Sequence, residues 1–152
     1  MHPLFKFLHL ASVVLWVGGM IFAWVCLRPV AAAQLEPPQR LKLWAGVFAR
    51  FFPWVWASVA IILLSGTVAL IAVGMRNAPW HWHTMLLLGL VMSAIFVYVF
   101  MVPYAQLRKA VDAQSWPEGA KALGRIRVLI AFNLALGFAT IAVASLGRLL
   151  AG

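Results

Sequence analysis

Imidazoles and thioethers are the groups in this chain best suited to hold something. The four histidines are His2, His9, His81 and His83. His9 stands inside a long apolar run, and His81 and His83 alternate with tryptophans in the stretch WHWH at 80–83. An imidazole placed within a membrane-length stretch is costly, so it needs a partner. Met20, Met85 and Met92 add soft thioether donors. Thioether plus imidazole with no carboxylate nearby suits Cu(I) better than Zn, Mg or Ca. The same imidazoles also suit haem iron, which accepts His/His or His/Met axial pairs. Each group has a plainer reading beside this one. A lone intramembrane histidine can be neutral and bonded to a serine or a backbone carbonyl, Trp–His clusters suit a wet interface, and methionine fills gaps in apolar cores.

The elements that must position these residues are membrane spans. The chain is 65% hydrophobic and 10% charged, against roughly a quarter charged in a soluble domain. About 20 mostly apolar residues cross a ~30 Å hydrocarbon core, and the segments that qualify are 4–27, 52–73, 80–102 and 126–150. All backbone amides in lipid must be satisfied internally, so the spans are helices. The expected fold is therefore an all-α integral membrane protein, a four-transmembrane-helix bundle forming a single membrane domain over 1–152. Between spans one and two, PPQ breaks the chain, and Leu41, Trp44, Val47 and Phe48 then mark an apolar face beside Arg40, Lys42 and Arg50. That pattern predicts a short interfacial amphipathic helix in the headgroup layer.

Charge sets the expected orientation. With four spans, Lys6, Arg76 and Arg148 share one side, and the remaining nine of the 12 Lys and Arg share the other. The positive-inside rule puts the basic side in the cytoplasm and both termini in the periplasm of a bacterial inner membrane. The formal net charge of +9 is thus read as helix flanks meeting a lipid bilayer, and no nucleic-acid partner is expected. Cys26 is the one cysteine, so no intrachain disulfide and no Cys-based metal motif can form. No acid lies in any span and no Ser–His–Asp set exists, which argues against hydrolytic chemistry.

Helical spacing then sorts side chains onto faces. His9, Ser12, Trp16 and Met20 form one stripe of span one, close to Gly18 and Gly19. His81, Met85 and Met92 share a face of span three, with His83 on roughly the opposite face. In span four, Asn133, Gly137, Thr140 and Ala144 make a small, polar stripe that should face the bundle, and span two offers Ser58, Ser65 and Thr67. His9 lies about five residues, or ~8 Å, below the start of its span, a depth comparable to that of His81 and His83. Side chains of spans one and three are expected to meet near the outer end. For haem b, Lys6, Arg76 and Arg148 are the bases on that side available to its propionates.

The stretches LHLASVVLWVGGMIFAWVCLRP, RLKLWAGVFARFFPWVWA, HTMLLLGLVM and RIRVLIAFNLALGFATIAVASLGR resemble the small, stand-alone members of the CopD family of inner-membrane proteins. The resemblance covers nearly the whole chain and implies copper handling. It places a first-span ligand pair on His9 and Met20, an H-x-M element on His83, Thr84 and Met85 with Met92 following, and a fourth-span asparagine on Asn133. Residue spacing pairs His81 with Met85, whereas the family element names His83. A fainter similarity links His9, Trp16 and Gly18 to the first span of HemJ-type haem-binding four-helix proteins. The expectation is binding, delivery or uptake of Cu(I) through a periplasm-facing His/Met site between spans one and three, with a periplasmic copper carrier as a partner. The alternative is a b-type haem protein using His9 and His81 or His83 as axial ligands and serving a quinone or another redox partner. On the copper reading the protein is more a carrier than an enzyme; on the haem reading it would be an oxidoreductase. The sequence leaves the oligomeric state open, a homo-oligomer included.

Overall fold

The computed structural model describes residues 2–150, the side chains of Arg148 and Leu150 excepted. All regular structure among the described residues is helical. The first span is continuous from Pro3 to Gln34: α1 (Pro3–Phe22), a π-helical turn (Ala23–Leu27) and α2 (Arg28–Gln34). Pro3 falls in the first turn, where its missing N–H costs nothing, and the His2 ring Nδ1 accepts the Leu4 amide at 3.3 Å. The other spans are α3 (Pro37–Val73), α4 (Trp80–Met101) with its continuation α5 (Pro103–Asp112), and α6 (Trp116–Leu150). Four of these stretches are long and apolar enough to cross a membrane.

Proline and glycine set the joints. Pro103 cannot donate to the turn before it, and the helix is interrupted between α4 and α5 at Val102, with φ −114° and ψ −78°. Gly74 ends α3 at φ 86°, a region that disfavours a side chain, and its carbonyl accepts from Asn77 and Ala78 to close the turn.

α3, at 37 residues, is about 55 Å long at 1.5 Å per residue, well beyond one hydrocarbon core. Its first turns are the amphipathic stretch expected between spans one and two. That stretch is continuous with the span rather than a separate helix in the headgroup layer. Its apolar face has a protein partner: Leu41, Trp44 and Phe48 are buried in the common core with Tyr104 and Leu107 of α5 and Leu123 and Ile126 of α6. Burial against α5 and α6 holds the segment upright, and Pro53 is accommodated within the helix.

The four spans pack in a ring. α1 lies against α3 and α6, and α4 lies against the same two. α1 and α4 are therefore diagonal, meeting through side chains such as Trp16 and Phe96, whose rings are edge-to-face at 6.3 Å. Small residues permit close approach where it occurs. A Cβ on Gly19 would collide with the Phe51 ring of α3, and one on Gly137 of α6 would press on Val17 at 3.1 Å. The outward surface is lined by Val14, Leu64, Ile71, Leu87 and Val128, as expected of helices bathed in lipid.

The half of the bundle away from the histidines is filled by aromatic rings. Phe52 stacks on Phe48 at 4.9 Å and meets Phe96, Tyr104 and Phe100 edge-on at 5.4, 4.9 and 6.1 Å. Trp56 joins them against Phe96 and Phe100.

Candidate functional site

The half of the bundle that carries the histidines holds a cavity of about 370 Å³ among α1, α3, α4 and α6. His9 and Trp16 reach it from α1, Gly66 from α3, His81, Met85 and Met92 from α4, and Gly137, Thr140 and Ala144 from α6. Most of the lining is aliphatic. Lys6, exposed, stands at the rim, and the aromatic packing begins below Trp16 and Met92.

The two histidines are held differently. His9 Nδ1 lies 2.6 Å from Ser65 Oγ. The Ser65 hydroxyl has a single hydrogen, and it points along its own helix to the Ile61 carbonyl at 2.6 Å. With the hydroxyl hydrogen on that carbonyl, the hydroxyl accepts from His9 Nδ1–H, an assignment that leaves the Nε2 lone pair free. A histidine whose second nitrogen is tied in this way is preset as a ligand. Gly66 lies beside the ring, and a Cβ there would sit 3.9 Å from His9 Cε1. His81 is 5% exposed, and its buried Nδ1 has no partner. Its ring lies against Gly147 of α6, where a Cβ would approach His81 Cβ to 2.8 Å. The Gly147 Cβ position lies 3.5 Å from that Nδ1, so this nitrogen is closed off against α6 and any ligand role of His81 falls to Nε2.

The chemistry on offer is therefore an imidazole Nε2 lone pair on α1, an unsatisfied imidazole on α4, and thioethers below them. Among the described residues, no group of three or more His, Cys, Asp and Glu is placed to hold a metal ion. Any ion in this cavity would rely on sulfur and two nitrogens, the donor set that selects a soft monovalent ion.

Comparison with known proteins agrees with that chemistry. The profile of the family described as Copper resistance protein D, CopD, matches residues 45–146. The chain belongs to the CopD family. The Copper transport protein CutJ of Bacillus subtilis (strain 168) is 34% identical over 100 residues, which is 65% of this chain and 17% of that protein. The match thus spans less than a fifth of the length of this curated relative. No solved structure matches the chain. The finding supports a copper-related, multi-pass membrane protein.

The other residues singled out in this CopD-family sequence are distributed as follows. His83 is exposed on the outer face of α4 and does not line the cavity. Met20 is buried in the core beneath the cavity, with Trp16 and Val17. Met92 is 4% exposed and its sulfur lies 3.9 Å from Thr140 Oγ1. The Thr140 hydroxyl also has the Leu136 carbonyl at 2.8 Å. That shorter bond takes the hydroxyl hydrogen, so the Met92 sulfur remains available. Asn133 is buried and donates from Nδ2 to the Met92 carbonyl at 3.3 Å, which fixes α4 against α6 one level below the cavity. Arg76 is exposed in the turn after α3, away from the cavity, and the Arg148 side chain lies outside the described residues.

Ser65 is the hydrogen-bond partner of His9 that sequence reasoning did not select. It was visible as one of three hydroxyls in the second span, and only the rotation of α3 against α1 distinguishes it. Ser65→Ala leaves the His9 Nδ1–H without an acceptor and frees the ring to turn. Should the cavity take Cu(I), the expected outcome is a fall in affinity of about 10- to 100-fold, the usual effect of losing a group that orients a metal ligand. Chelator competition in detergent measures it, and an unchanged affinity would show that Ser65 does not hold the ligand.

Proposed function

We propose that this CopD-family protein handles copper in a bacterial inner membrane, taking Cu(I) as cargo from the periplasmic side into the cavity between α1 and α4. The observation that carries the reading is that His9, His81, Met85 and Met92 line one cavity, with His9 Nδ1 2.6 Å from Ser65 Oγ. The family to which the chain belongs and the copper relative point the same way. Orientation follows from charge: the basic end lies opposite the cavity, so the positive-inside rule turns the cavity outward.

In this reading, Cu(I) enters past Lys6, is gripped by imidazole near the mouth and exchanges onto the deeper thioethers of Met85 and Met92. Multi-site, individually weak ligation permits release as well as capture. Beyond Met92 the bundle is closed by the packing of Phe52, Phe96 and Phe100, with Met20 buried in the same core. The function favoured is therefore binding and hand-over, with a periplasmic copper carrier as donor or recipient, rather than conduction through one chain. Haem b would bring propionates that want cationic partners; of the described bases proposed for them, Lys6 lines the cavity and Arg76 does not.

The test is anaerobic titration of the purified protein with Cu(I) against a coloured chelator, together with a visible spectrum of the protein as isolated. The expected results are retention of Cu(I) in proportion to protein and no Soret band. A protein that fails to compete for Cu(I) overturns the reading. A Soret band that shifts on reduction and disappears in His9→Ala would replace it with the haem alternative.

A further inference from the structure

At the end of the bundle opposite the histidines, three arginines from three helices gather without an acid among them. Arg28 follows the π turn and opens α2, Arg40 is the fourth residue of α3, and Arg127 projects from α6. All three are half-buried. Arg28 and Arg127 line one small crevice with Trp24, Trp44 and Phe48. Arg40 does not line that crevice but, like Arg28, carries its charge close enough to act on Arg127, so the three repel one another. The one ion pair among the described residues is Lys121–Glu118, elsewhere on the surface. Glu36, four residues before Arg40, is exposed and makes no ion pair there.

The arginines are partly tied down. The Arg28 guanidinium lies over the Trp24 ring at 4.2 Å, which leaves its N–H edge free. Arg40 donates from one terminal nitrogen to the Leu35 carbonyl at 3.3 Å, while its Nε is buried and has no partner. A buried guanidinium N–H with no acceptor, beside like charges, is an arrangement that an anion would complete. The π turn belongs to the same picture, since such turns inside helices are uncommon and frequently lie at functional places. Arg28 directly follows the first apolar run, and Trp24 and Trp44 mark the depth of an aromatic belt. The cluster is separated from His9 by 19 residues of helix, roughly 28 Å, and is independent of the cavity.

We propose that Arg28, Arg40 and Arg127 form a binding site for a phosphate group, borne by an anionic phospholipid or free in solution. Basic crevices between spans at headgroup depth are suited to phosphorylated headgroups, and the arginine fork matches phosphate oxygens with paired hydrogen bonds. Occupancy would relieve the mutual repulsion of the three side chains and tie the start of α3 to the first and fourth spans.

The experiment uses the full chain, delipidated in a nonionic detergent and titrated with phosphatidylglycerol or with phosphatidylcholine, with bound lipid read by native mass spectrometry. Phosphatidylglycerol should be retained in preference to phosphatidylcholine. Arg40→Gln and Arg127→Gln should each lower its retention about fivefold or more, following the usual contribution of a basic residue near an anionic headgroup. Arg50→Gln and Arg108→Gln remove the same charge from exposed positions at the same end and should leave retention unchanged. Inorganic phosphate that displaces the lipid shows that the phosphate group suffices, whereas failure to displace shows that the lipid is the ligand; both uphold the site. Equal loss in all four variants, or no preference for phosphatidylglycerol in the unaltered chain, overturns it. Far-UV circular dichroism checks that each variant folds, and Arg40→Gln, at the start of its helix, carries the test if Arg127→Gln does not.

Discussion

Replacing His9 and His81 together by alanine is expected to weaken Cu(I) binding by more than about a hundredfold, beyond the range produced by disturbing only the groups around a ligand. Donor supply sets the size of the loss. The described residues offer no carboxylate or thiolate near the cavity, and thioethers alone bind weakly. Removing both imidazoles leaves Met85 and Met92 without a strong partner. The contrast with His83 sharpens the test. It lies two residues from His81 but on the exposed face of α4, and His83→Ala should change affinity by less than about twofold, as for a surface substitution away from any buried contact. Chelator competition on the double variant and on His83→Ala separates the alternatives. If His83→Ala instead removes binding while the double variant retains it, the cavity is not the site.

Phe52→Ala is expected to produce the largest loss of stability. The Phe52 side chain is 3% exposed and lies at the centre of the aromatic packing, against Phe48, Phe96, Phe100 and Tyr104. In lipid the transfer part of a large-to-small substitution largely disappears, because the surroundings of the unfolded helices are as apolar as the core. The cavity part remains. At about 24 cal/mol per Å³, a void of roughly 100 Å³ costs about 2 to 3 kcal/mol. Denaturant titration in detergent micelles, followed by helicity, measures the difference. Trp54→Ala, at a ring that is 62% exposed to lipid, should cost much less. Equal losses for the two would mean that the aromatic cluster does not secure the bundle.

Much of this arrangement is legible from spacing alone. Apolar length identifies the four spans, and the stripe Asn133, Gly137, Thr140 and Ala144 faces inward as its small and polar character requires. Likewise His81, Met85 and Met92 share the cavity-facing side of α4 because 3.6-residue periodicity leaves little choice. The stripe of His9, Ser12, Trp16 and Met20 does face the bundle, but spacing does not reveal where the cavity ends; packing below Trp16 places Met20 in the core. The partner of His9 was illegible for a related reason. Ser58, Ser65 and Thr67 are chemically interchangeable candidates, and the choice among them depends on how α1 and α3 are rotated about their axes. The segment around Leu41, Trp44 and Phe48 shows a different limit. An apolar helix face reads the same whether it will meet headgroups or other helices, and only the presence of α5 and the start of α6 decides.

The ring order of the helices has one more consequence. α1 and α4 each lean on α3 and α6 while their own backbones stay apart, and the Trp16–Phe96 contact braces that diagonal below the cavity, leaving the level of the histidines to a second brace. An ion shared by His9 and His81 would be that brace. Cargo would then act as a removable cross-tie: loaded molecules would be stiffer than empty ones, and the folded state would gain stability in step with the free-copper level, by about 2.7 kcal/mol at a hundred times the dissociation constant. Whatever carrier collects the ion would meet a scaffold that slackens as it lets go.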